Sequence, residues 1–163
     1  MTRFALYAVV LAPLSALANG GWTIGGRVGV NQNGSSVAPT AAVTAEYTIN
    51  SRLTWRTDAE VQVADLAHPD VFSASVPTQL LLHPMGSNAL LDPYLGPGLS
   101  ASLVSSQTTS LGAHALAGVA LHPKSGQTFG LEVKWGVSDM ISNPAPTWSM
   151  ALTGNWNYQL GKH

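Results

Sequence analysis

The chain has 163 residues, room for one ordinary domain, and a net charge of −1, which supplies no basic footprint for nucleic acid. It contains 0 cysteines, which excludes disulfides and thiolate chemistry. Only 9% of its residues are charged, far below the roughly 25% of soluble domains, while hydrophobic residues at 45% are ordinary. Such a chain has too few charges to coat a water-facing surface.

The first segment reads as an export signal. Arg3 precedes an apolar run from Phe4 to Leu14, and Ala16 and Ala18 make the A-x-A pattern of a signal peptidase site. This predicts cleavage after Ala18, with residues 1–18 removed and residues 19–163 forming one barrel domain. Pro13 interrupts the run, and about 11 apolar residues fall short of the roughly 20 that a helical span requires. No later stretch approaches about 18 apolar residues, so any crossing of a membrane has to be made by strands.

Beyond Ala18, apolar residues recur at every second position, the period of a strand whose side chains alternate between two faces. The first strand, Trp22 to Asn31, sets Trp22, Ile24, Val28 and Val30 against Thr23, Gly25, Arg27, Gly29 and Asn31. A polar loop is expected from Gln32 to Val37. The second strand then runs to Ile49 with Val43, Tyr47 and Ile49 opposing Thr44, Glu46 and Thr48, and Asn50-Ser51 marks a tight turn. The third, Leu53 to Val63, places Trp55, Val61 and Val63 on one face and Arg56, Asp58, Glu60 and Gln62 on the other.

Phe72 to His83 and Pro93 to Leu103 read as the fourth and fifth strands, although they contain Pro77 and Pro97. An interior proline removes a ladder bond, so each is expected at a bulge or a strand end. Pro84 to Asp92 is turn-rich and separates them. The sixth strand, Leu111 to His122, carries His114 on its polar face. The seventh, Phe129 to Ser138, opposes Leu131, Val133 and Trp135 with Glu132 and Lys134. The eighth, Thr147 to Leu160, carries Trp148, Trp156 and Tyr158 on its apolar face. The fold class is therefore all-β: an antiparallel up-and-down barrel of eight strands.

Alternation alone does not say which face is inside, because a soluble barrel with a greasy interior has the same period as a membrane barrel with a polar lumen. Charge placement decides. A water-facing polar surface would be crowded with charges. Here the polar face holds only Arg27, Glu46, Arg56, Asp58, Glu60, Glu132 and Lys134 among Gly, Ala, Ser and Thr. Near balance of sign is what a confined lumen requires, since an unpaired buried charge is costly. These seven residues, joined by His114, are the predicted lumenal ion-pair network. Trp22, Tyr47, Trp55, Trp135, Trp148, Trp156 and Tyr158 all fall on the apolar face and are predicted to sit at the membrane interfaces.

Chemistry-bearing motifs are sparse. His68, His83 and His122 each precede proline and read as turn or strand-end residues, and no histidine spacing predicts a metal site. No glycine pattern matches a phosphate loop, so no cofactor is expected. Catalysis would need a nucleophile, base and orienting acid together near the bilayer surface, and no such group lies on the apolar face, so the chain is not expected to be an enzyme.

Over its mature length the chain resembles the small eight-stranded outer-membrane barrels of the OmpA, OmpX and OmpW type. The resemblance rests on the export signal, on Pro93-Tyr94-Leu95-Gly96-Pro97-Gly98-Leu99, which is similar to a PYxGxG stretch of such barrels, and on the aromatic last strand Trp156-Asn157-Tyr158-Gln159-Leu160. It departs from them in running on through Gly161-Lys162-His163 where they end on an aromatic residue. The resemblance implies a location in the outer membrane of a Gram-negative-type bacterium, contact with outer-membrane lipid and insertion by the barrel assembly machinery. The expected function is structural: a barrel with a side-chain-filled, ion-paired lumen that supports the envelope or binds a neighbouring envelope component. Two alternatives are a soluble periplasmic lipocalin-like barrel holding an apolar ligand against Trp55 and Trp135, and a narrow pore for which Gly25, Gly29, Gly98, Gly112, Gly130 and Gly136 leave room.

Overall fold

The computed structural model describes residues 21–33, 36–63, 72–87, 89–104, 109–123, 127–138, 140 and 147–159. The export signal and His68 lie outside these residues. Eight strands follow in chain order: β1 (Trp22–Asn33), β2 (Ser36–Asn50), β3 (Leu53–Val63), β4 (Phe72–Leu82), β5 (Leu91–Val104), β6 (Thr109–Leu121), β7 (Gln127–Ser138) and β8 (Thr147–Gln159). Each pairs antiparallel with its neighbours, and β1 pairs with β8, so the sheet closes on itself.

The register sets the shape. Stepping across the ladder from Thr23 leads through Glu46, Arg56, Gln79, Gly98, His114, Gly136 and Ser149 and arrives at Asn33, ten residues further along β1. That stagger tilts the strands by about 35–45° to the barrel axis and leaves an interior that side chains can fill.

Three local expectations are corrected. The loop expected over Gln32 to Val37 is mostly strand, since β1 reaches Asn33 and pairs it with Ser36 at the start of β2. Polar residues make ladder bonds through their backbone as well as apolar ones do, so polarity there marks a departure from the apolar band and not the end of pairing. Asp92, placed in the turn-rich segment, belongs to β5. Pro77 and Pro97 occupy neither bulges nor strand ends. Pro77 stays in register with Ser100 of β5, while the β3–β4 pairing skips from Thr57 with Thr78 to Glu60 with Ser75. Pro97 likewise pairs with Ala115 of β6, and the β4–β5 pairing skips from Gln79 with Gly98 to Leu82 with Leu95. Each proline directs its missing N–H at one neighbour only, so pairing lapses there and resumes in the same register.

The end of the barrel where β1 begins and β8 ends, here the base, is tied by short connections. The turn after β4 brings Gly86 N–H to the His83 carbonyl at 3.0 Å, with Gly86 at φ +88°, a conformation suited to glycine. His83 N–H donates to Arg52 O at 2.8 Å, Ser87 N–H to Ser51 O at 2.7 Å and His122 N–H to Leu90 O at 2.9 Å. These bonds carry the ladders a step past the strand ends and hold His83 and His122 in place.

The barrel is inverted relative to a soluble one. Val28, Val43, Leu99, Leu131, Trp135 and Trp148 are among its exposed large apolar residues, whereas Arg27, Arg56, Asp58, Asp92 and Glu132 are buried. A lipocalin-like barrel with an apolar interior is therefore not what these residues build. The interior does contain one apolar cluster, of Leu81, Tyr94, Leu116 and Ala120, which the alternation pattern did not single out.

Candidate functional site in the barrel lumen

The inward faces of β1, β3 and β7 bring the charged residues together halfway along the barrel. Arg27 forks between Asp58 and Glu132, and its Nη2 also donates to Thr153 Oγ1 at 3.1 Å. Arg56 Nη2 donates to Glu132 Oε2 at 2.6 Å, with Asp58 and Glu46 each 3.8 Å away. The carboxylates are further satisfied by neutral donors: Asp58 by the Thr44 hydroxyl and by Gln79 Nε2 at 2.7 Å, Glu132 by the Tyr94 hydroxyl at 3.1 Å. Asn155 Nδ2 in turn donates to Tyr94 Oη at 3.0 Å. Seven strands contribute, and the side chains of Arg27, Arg56, Asp58 and Glu132 are no more than 1% exposed. Two guanidiniums against these carboxylates form a crosslinked layer rather than separate pairs.

Nearer the opposite end, the rim, Lys134 Nζ lies 2.6 Å from Glu60 Oε2, and Asn31 Nδ2 donates to Gln62 Oε1 at 2.7 Å. His114 faces inward but its Nε2 has no hydrogen-bond partner, so it does not join the charged layer. Its ring lies over Gly98, the residue opposite it in β5, while its Cβ stands beside Gly136, the residue opposite it in β7. The same complementarity recurs where Tyr94 covers Gly118, Asn155 covers Gly130 and Asn157 covers Gly25. The inward glycines do not leave the free room that a pore would require: Asn157, His114 and Asn155 occupy it at Gly25, Gly98 and Gly130, and at Gly29, Gly112 and Gly136 neighbouring backbone and the Thr153, Ser100 and His114 side chains stand close.

The layer divides the lumen into two cups. One, toward the rim, has a volume of about 270 Å³ and is lined by Lys134, His114 and several serines including Ser75 and Ser102. The other, at the base, has a volume of about 290 Å³ and contains a group that the sequence reading missed. Asp92 is fully buried, with Oδ2 2.7 Å from His83 Nδ1 and 3.4 Å from His122 Nε2, and His122 Nδ1 is 3.0 Å from Thr128 Oγ1. His83 and His122 were read as turn or strand-end residues, and they do stand just past the ends of β4 and β6. Extending the β5 alternation back from Tyr94 by one inward position would have found Asp92 between them.

Most of the predicted aromatic set lies on the outer wall in two belts. Tyr47, Trp55, Trp156 and Tyr158 lie toward the base, and Trp135 and Trp148 stack at 4.7 Å toward the rim. Trp55 Nε1 also donates to Thr78 Oγ1 at 2.7 Å. Trp22 differs from the rest: it is only 4% exposed, with its ring 5.3 Å from that of Tyr47.

No protein-family model and no curated protein sequence matches the chain. Solved structures do. Neisserial surface protein A (NspA) aligns with a TM-score of 0.69 at 16% identity, covering 86% of this chain and 97% of that protein. The N-terminal β-barrel domain of Pseudomonas aeruginosa OprF aligns with a TM-score of 0.62 at 12% identity, covering 86% and 100%. The outer membrane enzyme PagL aligns with a TM-score of 0.54 at 11% identity, covering 85% and 99%. The chain thus has the fold of the small eight-stranded outer-membrane barrels that its sequence resembles.

Proposed function

We propose that this protein is a structural barrel of a bacterial outer membrane whose lumen is sealed by the ion-paired layer. In this reading the chain is exported, loses residues 1–18 and is inserted by the barrel assembly machinery. Its outer wall meets lipid, and its contribution is to envelope integrity or to holding a neighbouring envelope component. The observation that carries the proposal is the inverted distribution of side chains: a continuous apolar exterior around an interior of paired charges. In water such an exterior would be an aggregation surface, and in a bilayer it is the required one.

The aromatic belts support the same placement. Trp148 and Tyr158 are ten residues apart on β8, about 33 Å along a strand at ~3.3 Å per residue. At the tilt of a closed eight-stranded barrel this is about 25 Å along the axis, the height of an outer-membrane apolar band. PagL is an enzyme, but among the described residues His83, His114 and His122 all line the lumenal cups, which gives no support to catalysis on the outer wall.

Membrane fractionation and planar-bilayer recording test the proposal together. The protein should partition with outer membranes, show heat-modifiable migration in detergent and give no reproducible conductance steps. Solubility of the mature chain without detergent overturns the membrane placement, and discrete steps from the unmodified protein overturn the sealed lumen.

A further inference from the structure

The basal cup has an electrostatic character that the sealing layer accounts for only at Glu46, which stands 3.8 Å from Arg56. Among the described residues two carboxylates, Glu46 and Asp92, line it, and neither lysine nor arginine does. Four of its lining residues are more than nine-tenths buried and keep an acceptor that no protein group engages: Asp92 Oδ1, His83 Nε2, Asn155 Oδ1 and Asn157 Oδ1. The polarity of two of these is fixed by neighbours. His83 uses Nδ1 toward Asp92, so in the neutral ring Nδ1 donates and Nε2 carries the lone pair. Asn155 donates through Nδ2 to Tyr94, which assigns the free atom as oxygen. Buried acceptors without donors are costly, and a buried carboxylate flanked only by imidazoles attracts a cation.

We propose that this cup binds a small organic ammonium ion, its N–H groups directed at Asp92 and Glu46 and its hydrocarbon stem against Leu81, Tyr94 and Ala120. The volume of about 290 Å³ is several times the ~30 Å³ share of one water, so a short alkylamine fits. A metal ion is the less suitable occupant, because among the described residues no group of three His, Asp or Glu side chains is arranged to hold one. The cup opens at the base, the side that faces the periplasm if both chain ends lie there.

The test is a titration of the ¹⁵N-labelled mature protein in detergent micelles at low salt with n-butylammonium chloride. Tetramethylammonium chloride serves as a cation without N–H donors, and zinc chloride as the metal. Saturable shifts at the amides of Asp92, Tyr94, His122 and Asn157 with butylammonium alone are expected. Asp92→Asn and Glu46→Gln should each weaken them at least ~10-fold while heat-modifiable migration is retained. Glu46→Gln carries the test by itself if Asp92→Asn does not fold. Shifts that never saturate, equal responses to tetramethylammonium, a saturable response to zinc only, or undiminished affinity in a folded variant overturn the proposal. None of those outcomes touches the sealed-lumen reading, which rests on conductance and fractionation.

Discussion

Glu132 is the residue on which the interior depends most. Its two oxygens accept from Arg27, from Arg56 and from the Tyr94 hydroxyl, and its side chain is 0% exposed. Glu132→Gln keeps the shape and one acceptor oxygen, so it opens no cavity. What it removes is the charge that two buried guanidiniums share, leaving Arg27 in direct contact with Asp58 and Arg56 with Asp58 and Glu46, each 3.8 Å away. Removing one partner of a buried pair costs about 3–5 kcal/mol, most of it the penalty of the cation left behind. An amide that retains part of the hydrogen bonding places the expected loss near the lower end, ~3 kcal/mol. Urea unfolding in lipid vesicles, followed by tryptophan fluorescence, measures it. The contrast is Glu60→Gln: the Lys134–Glu60 pair is as short, at 2.6 Å, but stands alone with its side chains 13% and 7% exposed, and about 1 kcal/mol is expected. Equal losses at the two sites, or a Glu132→Gln loss below ~1 kcal/mol, would show that the layer is a set of independent, weakly contributing pairs and refute its role as a crosslink.

Three other substitutions probe the wall. Leu131, 54% exposed and midway between the aromatic belts, should cost about 2–4 kcal/mol on conversion to Lys when unfolding is measured in bilayers, whereas a gain in solubility without loss of fold would argue for a water-facing exterior. Gly118→Val puts a branched side chain where a Cβ would come within 2.5 Å of the Tyr94 ring and 2.9 Å of the Leu131 carbonyl; a loss of about 1–3 kcal/mol and a lowered heat-modification temperature are expected. Thr78→Val removes the acceptor of the Trp55 indole and should cost about 1 kcal/mol, with a shift in tryptophan emission reporting the freed N–H; unchanged emission would count against that bond.

The alternation of side chains by itself determined the class of fold, the two faces and seven of the charged lumenal residues, though not Asp92, because a strand has a period of two and a closed sheet has only an inside and an outside. The third strand was legible to the residue, Leu53 to Val63, since its charges all fall on one parity. The tertiary structure alone decided who pairs with whom. Arg56 meets Glu132 across the lumen at a separation of 76 residues, and that meeting follows from the ten-residue stagger of the closed ladder, a property of all eight registers together. The same stagger brought His83 and His122 onto Asp92 from the strands on either side of it. It also filled the space over Gly118, Gly98, Gly130 and Gly25 with Tyr94, His114, Asn155 and Asn157. A strand pattern specifies direction for each side chain, and only closure specifies height, so the faces were readable from the chain while the contacts across the lumen were not.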